Sequence, residues 1–200
     1  MNKDIMICGV GGQGTVLSSR IIAAAAMDEG SPVHSAETIG MAQRGGSVTS
    51  HVRIGETAYS PLIPSGSAEL LLAFEPAEAV RNLRYLNKNG TVIANTVPVQ
   101  PVSGALSGKG YDVSVMTEYL KGKCDCVFVD SDELCRPYGS SRYFNIIILG
   151  IASGLDRLGI KKDTLLEEIE KKVPAKHIRT NIEAFLAGYE RGREQGERGL

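Results

Sequence analysis

The chain has 200 residues, 42% of them hydrophobic, which suits a single domain with one continuous core, or one domain with an appendage. Its 22 basic and 23 acidic residues leave a formal net charge of −1, which argues against an extended nucleic-acid or anionic-membrane footprint. No apolar run reaches transmembrane length, and Met1-Asn2-Lys3-Asp4 runs straight into a strand pattern without a signal-peptide layout, so a cytoplasmic location is expected.

Ile5-Met6-Ile7-Cys8 reads as a short buried strand, and Thr15 to Met27 reads as a helix with Leu17, Ile21, Ile22, Ala24 and Ala25 on its apolar face. Between them stands Gly9-Val10-Gly11-Gly12-Gln13-Gly14, in which Gly9, Gly11 and Gly14 satisfy G-x-G-x-x-G. Strand, glycine turn and helix in that order form an anion cradle, because the first N–H groups of a helix have no intrahelical partner. The alternative is a purely structural turn. Gly30 suits the helix C-terminal cap, and Val33 to Glu37 reads as a second strand.

In a dinucleotide fold an acid closes the second strand and holds a ribose, and Glu37 stands about there. The chain does not then return as a helix. Thr38 to Gly46 reads as a loop, Ser47 to Ile54 alternates as a strand, and Gly55-Glu56 suggests a hairpin turn with Thr57 to Ser60 returning. That order implies a mixed sheet. The loop Gln43-Arg44-Gly45-Gly46 leaves the carboxyl edge of the sheet, where α/β ligand sites lie. One forked Arg donor beside two glycines suits a phosphate or carboxylate, or an ion pair with a nearby acid.

Pro61 to Gly66 reads as a loop whose Leu62 and Ile63 either face a partner or fold back on the core. Glu69 to Phe74 reads as a strand, Pro76 opens a helix ending at Leu86, Asn87 to Gly90 closes it, and Thr91 to Asn95 is a strand. Pro98 to Gly110 is an irregular excursion; Ser114 to Lys121 reads as a helix and Asp125 to Asp130 as a strand. Ser131 to Leu134 starts a short helix capped by Ser131 or Asp132. Ser141 to Gly159 is apolar enough for a helix buried on most sides, Lys162 to Lys172 is amphipathic, and Lys176 to Arg191 reads as the last helix. Together these predict an α/β, three-layer Rossmann-like domain over residues 1–191, with a mixed sheet and a helical C-terminal end, and a polar tail over 192–200.

Catalytic constellations and metal spacings are missing, so neither catalytic residues nor metal ligands are expected in this chain. His34 and His51 fall in strands, where packing roles prevail, and His177 belongs to no triad. Cys8, Cys124, Cys126 and Cys135 match neither a zinc ribbon nor a ferredoxin cysteine run and are read as plain thiols.

The combination of the Gly9–Gly14 turn, Gln43-Arg44-Gly45-Gly46-Ser47-Val48 with His51-Val52-Arg53, Tyr59-Ser60-Pro61-Leu62-Ile63-Pro64 and Phe74-Glu75-Pro76-Ala77-Glu78-Ala79 is specific. It resembles the gamma-type domain of 2-oxoacid:ferredoxin oxidoreductases, and within that group the beta subunits that serve indolepyruvate. The resemblance covers nearly the whole chain except Pro98 to Gly110. It implies a complex in which a large partner subunit carries thiamine pyrophosphate and iron–sulfur clusters, decarboxylates an aryl 2-oxoacid, and passes electrons to ferredoxin with formation of an acyl-CoA. It also implies that this chain completes the active site and binds an anionic group such as a coenzyme A phosphate, without holding a firmly bound cofactor and without activity alone. The implied binding residues are Gly9, Gly11, Gly12, Gln13, Gly14, Gln43, Arg44, Gly45 and Gly46. The alternative functions are a stand-alone NAD- or FAD-binding regulatory module and a structural interaction protein.

Overall fold

In a computed structural model the chain is described over residues 2–40, 45–99 and 111–198. Six strands form one mixed sheet: β1 (Lys3–Val10), β2 (Val33–Ile39), β3 (Ser47–Ile54), β4 (Ala68–Ala73), β5 (Leu86–Asn95) and β6 (Asp125–Val129), in the order β2-β3-β1-β4-β5-β6. β1, β4, β5 and β6 are parallel, and β3 runs antiparallel to both β1 and β2. The helices are α1 (Thr15–Asp28), α2 (Pro76–Asn82), α3 (Val113–Lys121), α4 (Ser131–Cys135), α5 (Phe144–Gly154), α6 (Lys162–Lys172) and α7 (Ile178–Glu197).

Side-chain alternation divides the core. Ile5, Ile7, Val52, Ile54, Leu70, Leu72 and Ile93 face α1, α5 and α6, whereas Met6, Cys8, Leu71, Ala73, Val92 and Ala94 face the side of α2 and α3. The sheet therefore lies between two helical layers, as the sequence predicts. α1 presents Ile21, Ile22, Ala25 and Ala26 to the sheet, and the alanines keep it close.

Three boundaries differ from the sequence expectation. Thr57 to Ser60 forms no strand; β3 pairs instead with β2, from Val33 opposite Ile54 to Ile39 opposite Val48. Gly55, at φ +114°, donates to the Pro32 carbonyl and turns the chain away. Asn87 to Gly90 belong to β5, where they bulge out between the pairs Ala68–Leu86 and Leu70–Thr91 of the β4–β5 ladder. The segment read as a tail from Gly192 onward continues α7 as far as Glu197, with Gly192 buried.

That extension has a packing cause. Phe144 to Ala152 of α5 are all buried, and α7 lies directly on α5. A Cβ on Gly150 would stand 2.2 Å from the Phe185 carbonyl oxygen, and one on Gly192 would stand 2.3 Å from that of Ile151. Glycines at these positions let the two backbones touch, which outweighs their poor helix propensity. The cap of α4 is Asp130, one residue before the pair considered from sequence: its Oδ1 accepts from the N–H groups of Asp132 (2.8 Å) and Glu133 (2.9 Å).

Candidate functional site

The carboxyl ends of β1, β4 and β5 meet at the glycine turn, the position at which open α/β sheets hold ligands. Side-chain amides close the strand ends. Gln13 Nε2 and Asn95 Nδ2 both donate to the Phe74 carbonyl oxygen, at 2.9 and 3.1 Å. Gln13 Oε1 accepts from the Val10 N–H at 2.8 Å, and Asn95 Oδ1 accepts from Val97 and Ser131 N–H groups, each at 3.1 Å. Both ends of the Gln13 amide thus serve the backbone.

The glycines have separate causes. Gly14 stands at φ +84° as the N-cap of α1, where a Cβ would meet Asn145 Nδ2 at 2.8 Å. Gly12, at φ +99°, faces open space. A Cβ on Gly9 would press on Gln13 Oε1 at 2.7 Å, so that glycine serves internal packing. Among the described residues no side chain caps α1, and its first-turn N–H groups lie at the turn.

Two clefts flank the turn, one of about 400 Å3 and one of about 230 Å3, and Gly12, Gln13 and Arg142 line both. The larger is walled by the segment before α5 and the start of α7: Tyr138, Tyr143 and His177 supply rings, and Tyr143 Oη lies 3.4 Å from His177 Nδ1. Asn145 lines this cleft although it is only 3% exposed. Arg142 is exposed and pairs with no acid among the described residues. Helix N–H groups, a free guanidinium and a buried amide at one end, with aromatic rings at the other, can hold an anion attached to a planar group.

Arg142, Tyr143 and Asn145 were not singled out from the sequence; the available signal was one Asn inside the apolar run Phe144 to Leu149, directly after Ser-Arg-Tyr. Of the loop that was singled out, Gln43 and Arg44 lie outside the described residues. Gly45 adopts φ +74°, and the Gly46 carbonyl accepts from the Gly11 N–H at 2.9 Å, so this end of the loop rests on the glycine turn as expected. Glu37 turns toward α1: its Oε1 accepts from Ser19 Oγ at 3.2 Å and lies 3.8 Å from Arg20 Nε. A carboxylate held in this way and followed by a reversed strand departs from the dinucleotide pattern.

Residues 4–191 match the family model described as pyruvate ferredoxin/flavodoxin oxidoreductase. The chain belongs to this family. It is 39% identical over 191 residues to the indolepyruvate oxidoreductase subunit IorB of Archaeoglobus fulgidus, covering 94% of each chain. It is 33% identical to the subunit of the same name from Thermococcus kodakarensis, covering 96% of each. Among solved structures, the gamma subunit of a keto/oxoacid ferredoxin oxidoreductase from Geobacter sulfurreducens shares the fold at a TM-score of 0.71 and 22% identity, over 96% of this chain and 99% of that one. A 2-oxoglutarate:ferredoxin oxidoreductase from Magnetococcus marinus, solved with 2-oxoglutarate, coenzyme A and succinyl-CoA bound, shares it at a TM-score of 0.73 and 21% identity; the match covers 97% of this chain and 31% of that one.

On the opposite face of the sheet, this family member has a polar cleft of about 570 Å3 between β3 and α2. His51 lies there, buried, with Nδ1 accepting from the Ile63 N–H at 3.1 Å and its ring edge-on to Tyr85. Burial lowers its pKa below the ordinary 6.5, against a smaller opposing pull from Asp4. In the Pro61–Pro64 loop Ile63 is 3% exposed and joins the core, one of the two roles expected of the loop, while Leu62 is 54% exposed. Cys124 and Cys126 stand 3.5 Å apart, and burial raises both thiol pKa values, that of Cys126 to about 12.

Proposed function

We propose that this chain is the small subunit of a 2-oxoacid:ferredoxin oxidoreductase acting on indolepyruvate or another arylpyruvate, and that it completes the active site of a large subunit carrying thiamine pyrophosphate and iron–sulfur clusters. The observation that carries this reading is the nearly full-length match, at 39% identity, to a relative named indolepyruvate oxidoreductase subunit IorB. The decarboxylation and electron-transfer chemistry belongs to the partner's cofactors, and ferredoxin accepts the electrons. The complex resides in the cytoplasm; among the described residues no helix is long and apolar enough to cross a membrane.

The contribution of this chain is an anion-binding wall. The opening of α1, Gly12 and Gly14 at their positive φ values, and the exposed Arg142 gather at the larger cleft. They hold a phosphate of coenzyme A, and the loop residues Gln43, Arg44, Gly45 and Gly46 contribute to its binding. Gly9, Gly11 and Gln13 shape the turn without needing a ligand contact of their own. The anchored position of Glu37 disfavours a stand-alone NAD- or FAD-binding module.

Calorimetry with CoA, NAD and FAD on the assembled complex tests this reading. CoA binding that weakens in Arg142→Ala and in Arg44→Ala supports it. Tight NAD or FAD binding by the isolated chain would overturn it in favour of the nucleotide module. An intact complex in which neither substitution affects CoA would reduce this chain to a structural subunit.

A further inference from the structure

The proposed function leaves Glu78 without a role, although Glu78 is a carboxylate at 1% exposure. Burying a carboxylate is costly unless charge and hydrogen bonds compensate it. One compensating partner is local: Arg81, one turn along α2, bonds to Oε1 from an exposed position. The other is distant in sequence. Ser47 Oγ, at the first residue of β3, donates to Glu78 Oε2 at 2.7 Å.

Glu78 is itself held from both sides along the backbone. Its N–H donates to Glu75 Oε2 at 3.0 Å, and its carbonyl accepts from Asn82 Nδ2 at 2.9 Å. The first of these bonds is the N-cap of α2, made by Glu75, so the helix start itself fixes where the Glu78 side chain stands. The rigidity matters at Ser47. Ser47 stands opposite Val10 in the β1–β3 ladder, and the preceding Gly46 carbonyl accepts from the Gly11 N–H at 2.9 Å. Glu78, Ser47, Gly46 and Gly11 therefore form a continuous path from α2 to the glycine turn.

We infer that Glu78 is a positioning residue, which fixes through Ser47 the end of the Gln43–Gly46 loop against the glycine turn. This rests on the reading above only in the step from loop position to coenzyme A affinity. Ser47 is exposed, so its bond to Glu78 sets where the loop ends rather than filling the core.

The test uses Ser47→Ala, the conservative Ser47→Thr, Glu78→Ala and the double Ser47→Ala/Glu78→Ala. Amide exchange of Gly11 is followed by NMR in the full chain, and KM for CoA and kcat are measured in the complex with the large subunit. Ser47→Ala is expected to speed Gly11 exchange roughly tenfold to a hundredfold, the size of one lost hydrogen bond to a charged group, and to raise KM for CoA with kcat retained. Ser47→Thr, which keeps the hydroxyl, should restore both values. The double variant should change Gly11 exchange no more than Glu78→Ala does. Faster Gly11 exchange with an unchanged KM for CoA would support the positioning role and overturn the placement of CoA at this turn. Unchanged Gly11 exchange in a Ser47→Ala chain that circular dichroism shows to be folded would overturn the positioning role itself.

Discussion

Gln13 and Phe74 join the glycine turn to the neighbouring strand: Nε2 of Gln13 donates to the Phe74 carbonyl oxygen at 2.9 Å, while its Oε1 accepts from Val10 at 2.8 Å. One side chain thus satisfies two backbone groups where the ladders of β1 and β4 end. Gln13→Ala should lower the unfolding free energy by about 1–3 kcal/mol in urea titration, because the Val10 N–H loses this partner while the Phe74 carbonyl keeps only Asn95 Nδ2. Gln13→Glu keeps the acceptor, loses the donor, and should fall between. An unchanged urea midpoint together with lost CoA binding would make Gln13 a ligand residue instead.

The glycines between α5 and α7 bring two helix backbones into direct contact. Gly188→Ala places a methyl 2.2 Å from the Ile147 carbonyl oxygen, so the helices must separate. A loss of about 1–3 kcal/mol is expected, the usual cost of overpacking. Gly196→Ala meets its nearest atom only at 3.8 Å and should be neutral or gain up to about 1 kcal/mol from helix propensity. Thermal melts of both variants check the contrast.

Leu62 and Ile63 should separate assembly from folding. Ile63→Ala removes a core side chain and should destabilise the isolated chain by about 2–5 kcal/mol. Leu62→Asp changes an exposed position and should leave the isolated chain folded while abolishing co-purification with the large subunit. Retained co-purification of a folded Leu62→Asp chain would remove this loop from the interface.

Protonation of His51 should weaken the fold. Its folded pKa lies below the ordinary 6.5, chiefly through burial, so the unfolded chain takes up the proton first. Its contribution is fully present above pH 6.5 and is lost as pH falls from there through the folded-state value. Urea titrations across that range should show a decline that is absent in His51→Gln, which keeps a hydrogen-bond acceptor. The same slope in the variant would assign the decline to another group.

The legible parts of the fold are those written locally. Strand β1, the glycine turn and α1 follow from a short continuous apolar run, three spaced glycines and a helical apolar face, and Pro76 marks the start of α2. The strand after Gly46 was legible, but its partner was not: β3 pairs with β1 and β2 through contacts no short-range turn signal encodes. Asn87 to Gly90 carry turn chemistry yet belong to β5, because they bulge from the ladder between Leu86, opposite Ala68, and Thr91, opposite Leu70. Gly192 reads as a helix breaker until the backbone of α5 is seen against it.

The same division holds at the site. The turn and its contact with Gly46 were foreseeable from order along the sheet edge. Arg142 and Asn145 were not, because only the folding of α5 behind α1 brings them to the turn. The internal engagement of Gln13 and Glu37 was equally hidden, since a side chain that bonds its own backbone and one that awaits a ligand look alike in a sequence.

The central claim is that this chain completes an enzyme whose reaction chemistry lies in its partner. The most direct measurement is ferredoxin reduction with arylpyruvate and CoA by this chain alone, by the large subunit alone, and by the two mixed. The account predicts turnover only in the mixture, with acyl-CoA as product. Turnover by this chain alone, or full turnover by the large subunit without it, would contradict the account.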